Sequence, residues 1–171
     1  LDALVGTLVH AYLEMIARDG LDAWPVERVS SLRASMEVWL AQQGRGDRDS
    51  AQGAGRACAI LQTTLASEAG RWVLKSRDGA AAELALVKVS RGGTPTSIVD
   101  RTFVEDGVRW IVDYKTGTPS GEDLGTVAGR YREQLARYVD LFADEGLPVR
   151  AAIFFAALGR LVEVPPAAPC V

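Results

Sequence analysis

The sequence predicts an α/β fold: a mixed central sheet of about four or five strands flanked by helices, with an N-terminal helical region. Apolar residues recur every three or four positions through the first third of the chain. Short β-branched runs broken by turn residues fill the middle, and helical spacing returns before a final apolar strand. With 171 residues, 48% apolar and 24% charged, the composition is that of an ordinary globular chain. A chain of this size buries roughly 70% of its unfolded surface, so it needs neither metal nor disulfide merely to fold. A single domain over residues 1–171 is expected, helical at 1–70 and sheet-forming at 71–171.

Leu1, Leu4, Val5, Leu8, Tyr12, Met15 and Ile16 trace one apolar stripe that Gly20 ends, which makes a first amphipathic helix. A second helix is expected over 26–43, with Val29, Leu32, Met36, Val38, Trp39 and Leu40 as its apolar positions. Gly44 to Gly55 reads as a polar turn or mobile loop, and Ile60, Leu61 and Leu65 place a third helix over 56–68. The texture changes near Trp72. Residues 83–89, 96–104 and 108–115 are strand-like, and Arg91-Gly92-Gly93-Thr94-Pro95 and Asp106-Gly107 between them are turn signals, so an antiparallel meander results. Helical spacing resumes over 126–144 and is closed by Gly146 and Pro148. Ala151-Ala152-Ile153-Phe154-Phe155 then reads as a buried strand ahead of a proline-rich tail.

Nineteen basic against 22 acidic residues give a net charge of -3, which excludes nucleic-acid binding driven mainly by a large positive field but not a nucleic-acid enzyme. Cys58 and Cys170 are too far apart for a CxxC pair, which excludes a zinc ribbon and a self-contained four-cysteine iron–sulfur cluster. Reduced thiols in a cytoplasmic protein are the expectation. No run of about 18 apolar residues suits a membrane span, and the start lacks a signal-peptide layout. The chain begins at Leu1 rather than methionine, which suggests a piece of something longer.

The hairpin at 96–115 carries the chemistry. If Asp106-Gly107 forms a two-residue type I′ turn, Glu105 faces Val108 and each step outward keeps the sum of paired numbers constant, so Asp100 faces Asp113. Opposed side chains share a sheet face with Cβ atoms about 5 Å apart, and like charges so placed repel. Surface aspartates ordinarily do no more than solvate. Here Ile98, Val99, Ile111 and Val112 flank both acids, so the strands are expected to be buried on both sides, where aspartate breaks the local rule. Lys115, two residues past Asp113, falls on the same face, and a divalent cation would complete the charge balance.

Asp100 followed by Asp113-Tyr114-Lys115 resembles the PD-(D/E)XK nuclease superfamily. Gly6-Thr7-Leu8-Val9-His10 resembles the GxxxH helix of its RecB-like branch, Ile111 to Gly117 its "ivDYKTG" strand, and Gln134-Leu135-Ala136-Arg137-Tyr138 its QLxxY helix, in the family's order. The position before the first aspartate, nominally proline, is Val99 here. The resemblance implies a restriction-endonuclease-like fold and the nuclease domain at the C-terminus of a bacterial RecB or AddA type helicase–nuclease. The AddB and Cas4 relatives hold an iron–sulfur cluster on four cysteines, so this chain falls on the cluster-free side.

By the same resemblance, His10, Asp100, Asp113 and the backbone carbonyl of Tyr114 are metal ligands, a set that suits magnesium or manganese. Lys115 would orient the attacking water, or deprotonate it if its surroundings lower its pKa. Gln134 and Tyr138 project from one helix face. Gln134 would bond a phosphate oxygen, a metal-bound water or a neighbouring site residue, and Tyr138 would stack on a base or brace the site. Glu83 is either a site glutamate or a solvated strand end. Glu14, one turn from His10, is a surface glutamate or an acceptor for the ring N–H. Gly6 permits close packing or is a simple small-residue contact. Arg101, Arg109, Arg130, Arg132 and Arg137 would line a DNA path or be merely solvated.

The expected function is metal-dependent hydrolysis of DNA phosphodiesters, exonucleolytic at DNA ends during double-strand break repair and recombination. The expected partners are single-stranded DNA, a helicase domain of the same chain and other subunits of the complex, with no membrane. A catalytically silent DNA-binding or scaffolding module and a hydrolase of small phosphate esters are the rivals. His10, Asp100, Asp113, Lys115 and Gln134 standing together disfavour the first, and the second needs a closed pocket.

Overall fold

The structure, a computed structural model, describes residues 1–87 and 96–165, and of residues 83–87, 96 and 97 the backbone alone. The turn expected at Arg91 to Pro95, the strand residues 88–89 and Cys170 lie outside the described residues. Two compact units are distinguishable. One comprises Leu1–Ser76, Tyr114–Thr118 and Phe155–Arg160; the other comprises Arg77–Asp113, Pro119–Phe154 and Leu161–Val171.

The first unit is the helical one. Its α1 (Asp2–Asp19) ends where expected, at Gly20 with φ of 89°, and buries Val5, Leu8, Val9, Leu13 and Ile16 as one stripe. The helix expected over 26–43 is two, α2 (Val26–Ser31) and α3 (Arg33–Gln42). The break has a local cause: the Ser31 hydroxyl donates back to the Arg28 carbonyl, and the Leu32 amide closes a tighter turn onto Val29. The loop expected at 44–55 is largely helix, because α4 runs Asp47–Ala66. Asp47 and Asp49 favour a helix start by their charge, and a Cβ on Gly53 would lie 2.8 Å from Leu40 Cδ1. Thus Gly53 is a packing contact against α3 rather than a loop signal. Ser67 caps α5 (Glu68–Leu74) by accepting from the Gly70 amide at 3.0 Å.

A five-stranded mixed sheet runs in the order β1 (Ala81–Val87), β2 (Thr96–Glu105), β3 (Val108–Lys115), β4 (Val149–Phe155), β5 (Arg160–Glu163). β1 with β2 and β2 with β3 are antiparallel. The turn between β2 and β3 has positive φ at both Asp106 (51°) and Gly107 (75°), as a type I′ turn requires. Val99, Phe103, Ile111 and Val112 are fully buried in the second unit, with Leu135, Ile153 and Phe154. Burial on both sides fails at Ile98, which is 52% exposed. Successive residues alternate between faces. The face bearing Ile98, Asp100 and Thr102 grades from exposed through half-buried to buried, so Asp100 stands at its rim.

The helix expected over 126–144 also breaks, into α6 (Leu124–Gly129) and α7 (Arg132–Asp140) followed by a 3₁₀ turn at Ala143–Glu145. At Gly129 the chain tightens, with amides of Arg130 and Tyr131 bonding three residues back. β5, absent from the expectation, follows the αL residue Gly159 (φ 60°).

Arg109 fixes the 3₁₀ turn to the hairpin. Buried at 8% exposure, it donates through Nε and Nη2 to both Glu145 oxygens and through Nη1 to Thr102 Oγ1 at 3.3 Å. Hydrogen bonding from Arg109 holds the Glu145 carboxyl below its ordinary value of 4.5. A depressed folded pKa contributes stability above the unfolded value, lost as pH falls through the folded one. Glu145→Gln should therefore cost about 1 kcal/mol at pH 7, discounted for the exposure of the carboxylate. Urea melts at pH 7 and at successively lower pH check this: the gap to wild type should narrow as pH falls below 4.5, and a constant gap would reject the charge-assisted clamp.

Candidate active site

In the second unit, Asp113 is buried at 4% exposure. It lies in β3 directly after the fully buried Ile111 and Val112, so its carboxylate sits where the strand would otherwise carry an apolar residue. Gln134 of α7 donates through Nε2 to Asp113 Oδ1 at 2.8 Å, and Oδ2 is buried as well. The second hydrogen of the same amide nitrogen goes to Tyr138 Oη at 2.9 Å. Residues four apart on a helix are neighbours, which is why the QLxxY spacing can join the two. Tyr138 is 8% exposed and lies beside the amide through that bond.

The register of β2 with β3 pairs Arg101 with Val112 and Glu105 with Val108. The pairing ends at Arg101 with Val112; Asp100 and Asp113 are the next residues outward, and alternation along each strand gives them the same sheet face. Glu83 lies in β1 between Ala82 and Leu84, which pair with Arg101 and Val99, and its side chain lies outside the described residues.

In the first unit, His10 follows Gly6 by one turn of α1. Its Nδ1 donates to the Gly6 carbonyl at 2.9 Å. A carbonyl can only accept, so Nδ1 carries a proton, and in the neutral ring Nε2 is the nitrogen that would ligate a metal. Gly6 rather than Glu14 is therefore the acceptor for that ring N–H. Gly6 has a second use: a Cβ there would lie 3.3 Å from Thr116 Oγ1, so the missing side chain makes room for the chain leaving β3. Of the two readings of Gly6, close packing is the observed one. The Tyr114 ring, 3% exposed, lies 5.7 Å from the His10 ring at 48°. Lys115 is half-buried at the end of β3.

Among the described residues no three His, Cys, Asp or Glu side chains are grouped as a metal site. In the second unit, the buried Asp113 carboxylate oriented by an amide and the Asp100 carboxylate on the neighbouring strand are oxygen donors of the kind a hard divalent cation takes. Two of the arginines expected along a DNA path are occupied otherwise. Arg101 is 3% exposed and Arg109 is locked onto Glu145. Arg130 is exposed and paired with Glu122, while Arg132 and Arg137 are exposed on α7. Thr116, whose hydroxyl lies against Gly6, stands within the 111–117 motif, where the sequence assigns it no role of its own.

Among the described residues no helix is long and apolar enough to cross a membrane. The family model of the PD-(D/E)XK nuclease superfamily matches residues 1–166. No curated protein matches the chain.

Proposed function

The chain belongs to the PD-(D/E)XK nuclease superfamily, whose restriction-endonuclease-like fold it has, and from that premise we propose that it hydrolyses DNA phosphodiesters with magnesium or manganese. The observation that carries the reading is the buried Asp113 carboxylate held by Gln134 from another element, with Asp100 one residue outward of the Arg101–Val112 pair on the neighbouring strand. Asp100, Asp113, His10 and the Tyr114 carbonyl would hold the cation. When bound, such an ion lowers the pKa of a water and neutralises phosphate charge.

The chain's own groups do the positioning. Gln134 keeps Asp113 in one orientation, and Tyr138 keeps Gln134 so. Lys115 orients the attacking water and stabilises the negative charge that develops on the phosphate oxygens. Glu83 would add a further carboxylate from β1. The resemblance to RecB and AddA motifs supports the finer reading of an exonuclease that takes single strands from a helicase, in one domain of a bacterial cytoplasmic complex for break repair and recombination.

The test is cleavage of linear single- and double-stranded DNA with magnesium or manganese, comparing wild type with Asp113→Ala and Lys115→Ala at matched folding. Lys115→Ala is expected to lower the rate roughly 10²- to 10⁴-fold. Cleavage that survives both substitutions would place the chemistry elsewhere.

A further inference from the structure

A cleft of about 580 Å³ lies in the first unit beside the chain that leaves β3. Arg56, Ile60 and Thr63 reach it from one face of α4, Asp2 and Val5 from α1, and Thr116 from the residue after Lys115. Val5 and Ile60 are buried, so the floor is apolar. The rim is polar. Arg56 Nη1 lies 2.5 Å from Asp2 Oδ1, and both side chains are open to solvent, 44% and 85% exposed. An ion pair so exposed contributes little. A planar guanidinium gains more from two oxygens of a phosphate than from one wet carboxylate.

From this arrangement we infer that the cleft is a subsite for the DNA strand, in which Arg56 binds a backbone phosphate next to the one being cleaved and Asp2 is displaced. The inference rests on the nuclease reading and adds to it a contact outside the catalytic group. Its location supports it. Consecutive Cα atoms are about 3.8 Å apart, so Thr116 sets the cleft within one residue of Lys115. The volume falls within the roughly 300–1,000 Å³ of small-molecule sites, more than a lone anion fills and suited to a nucleotide. Thr63 and Thr116 offer hydroxyls to phosphate or sugar, while Val5 and Ile60 offer apolar contact to the sugar or base. Asp2 has a definite role here, as an internal carboxylate that competes with the phosphate for Arg56.

The experiment measures binding of a fluorescently labelled single-stranded oligodeoxynucleotide in EDTA across a salt series, and cleavage with magnesium. Wild type, Arg56→Ala and Asp2→Asn are compared at matched melting temperatures. Arg56→Ala should weaken binding about 3- to 10-fold, flatten the log–log salt slope by about 0.7 and raise KM with kcat unchanged. Asp2→Asn should tighten binding about 2- to 3-fold, since it removes the competitor and leaves the cation. Equal affinity and slope in wild type and Arg56→Ala would overturn the subsite, whatever the cleavage assay reads. Wild type that fails to cleave yet binds through Arg56 would remove the nuclease reading and leave the subsite standing.

Discussion

Asp113→Asn is expected to abolish metal-dependent cleavage and, in chelator, to raise the melting temperature of the protein. The two effects have one cause. Asp113 is 4% exposed, and Asp100 stands one residue outward of the Arg101–Val112 pair, so without a cation two carboxylates share one sheet face. Asparagine is nearly isosteric and still accepts from Gln134 Nε2, so the 2.8 Å bond survives while the buried charge goes. Relief of about 1 kcal/mol corresponds to about 2–4 °C for a chain of this size. Loss of a charged ligand removes several kcal/mol of transition-state stabilisation, on the order of 10³-fold or more in rate. Saturating magnesium should reverse the stability order, because the cation stabilises only the form that binds it. Thermal melts with and without EDTA, run beside the cleavage assay, check both parts. A melting temperature in EDTA at or below that of wild type would reject the opposed-carboxylate arrangement.

The acidic hairpin was legible in the sequence because its geometry is local. An Asp-Gly turn with two positive φ values fixes the register, and a register converts residue numbers into neighbours. The first helix was legible for the same reason, since Gly20 ends an unbroken stripe. Elements whose bounds depend on distant partners were not. Gly53 looks like a loop residue until Leu40 is seen against it, and the break at Leu32 comes from a serine hydroxyl competing for the Arg28 carbonyl. β5 is four residues long, too short for any periodicity to announce it. At the site, the resemblance to the family's motifs pointed to His10, Asp113, Gln134 and Tyr138, but not to who holds whom. Gly6 as the acceptor for His10 and Tyr138 as the brace of Gln134 are contacts that only three dimensions reveal.

Gln134 gives the second large effect. Gln134→Leu removes the donor from Asp113 Oδ1 and Tyr138 Oη together, and both acceptors belong to buried residues. Loss of both bonds should cost about 1–3 kcal/mol of stability. A carboxylate no longer held in one orientation is a poorer ligand, and loss of such supporting bonds lowers metal affinity or activity roughly 10- to 100-fold. The expected signature is a cleavage rate that half-saturates at higher magnesium and recovers partly when magnesium is raised. Tyr138→Phe leaves the Gln134–Asp113 bond in place and should cost less than about tenfold. Gln134→Glu distinguishes positioning from simple packing. Glutamate matches the size of glutamine but sets a second carboxylate against Asp113 when ionised, and donates one hydrogen bond when protonated. Its activity relative to wild type should therefore rise as pH falls from 8 to 6, whereas the Gln134→Leu deficit should stay constant. A Gln134→Glu ratio that ignores pH, or a Tyr138→Phe loss equal to that of Gln134→Leu, would mean that α7 does not act through Asp113.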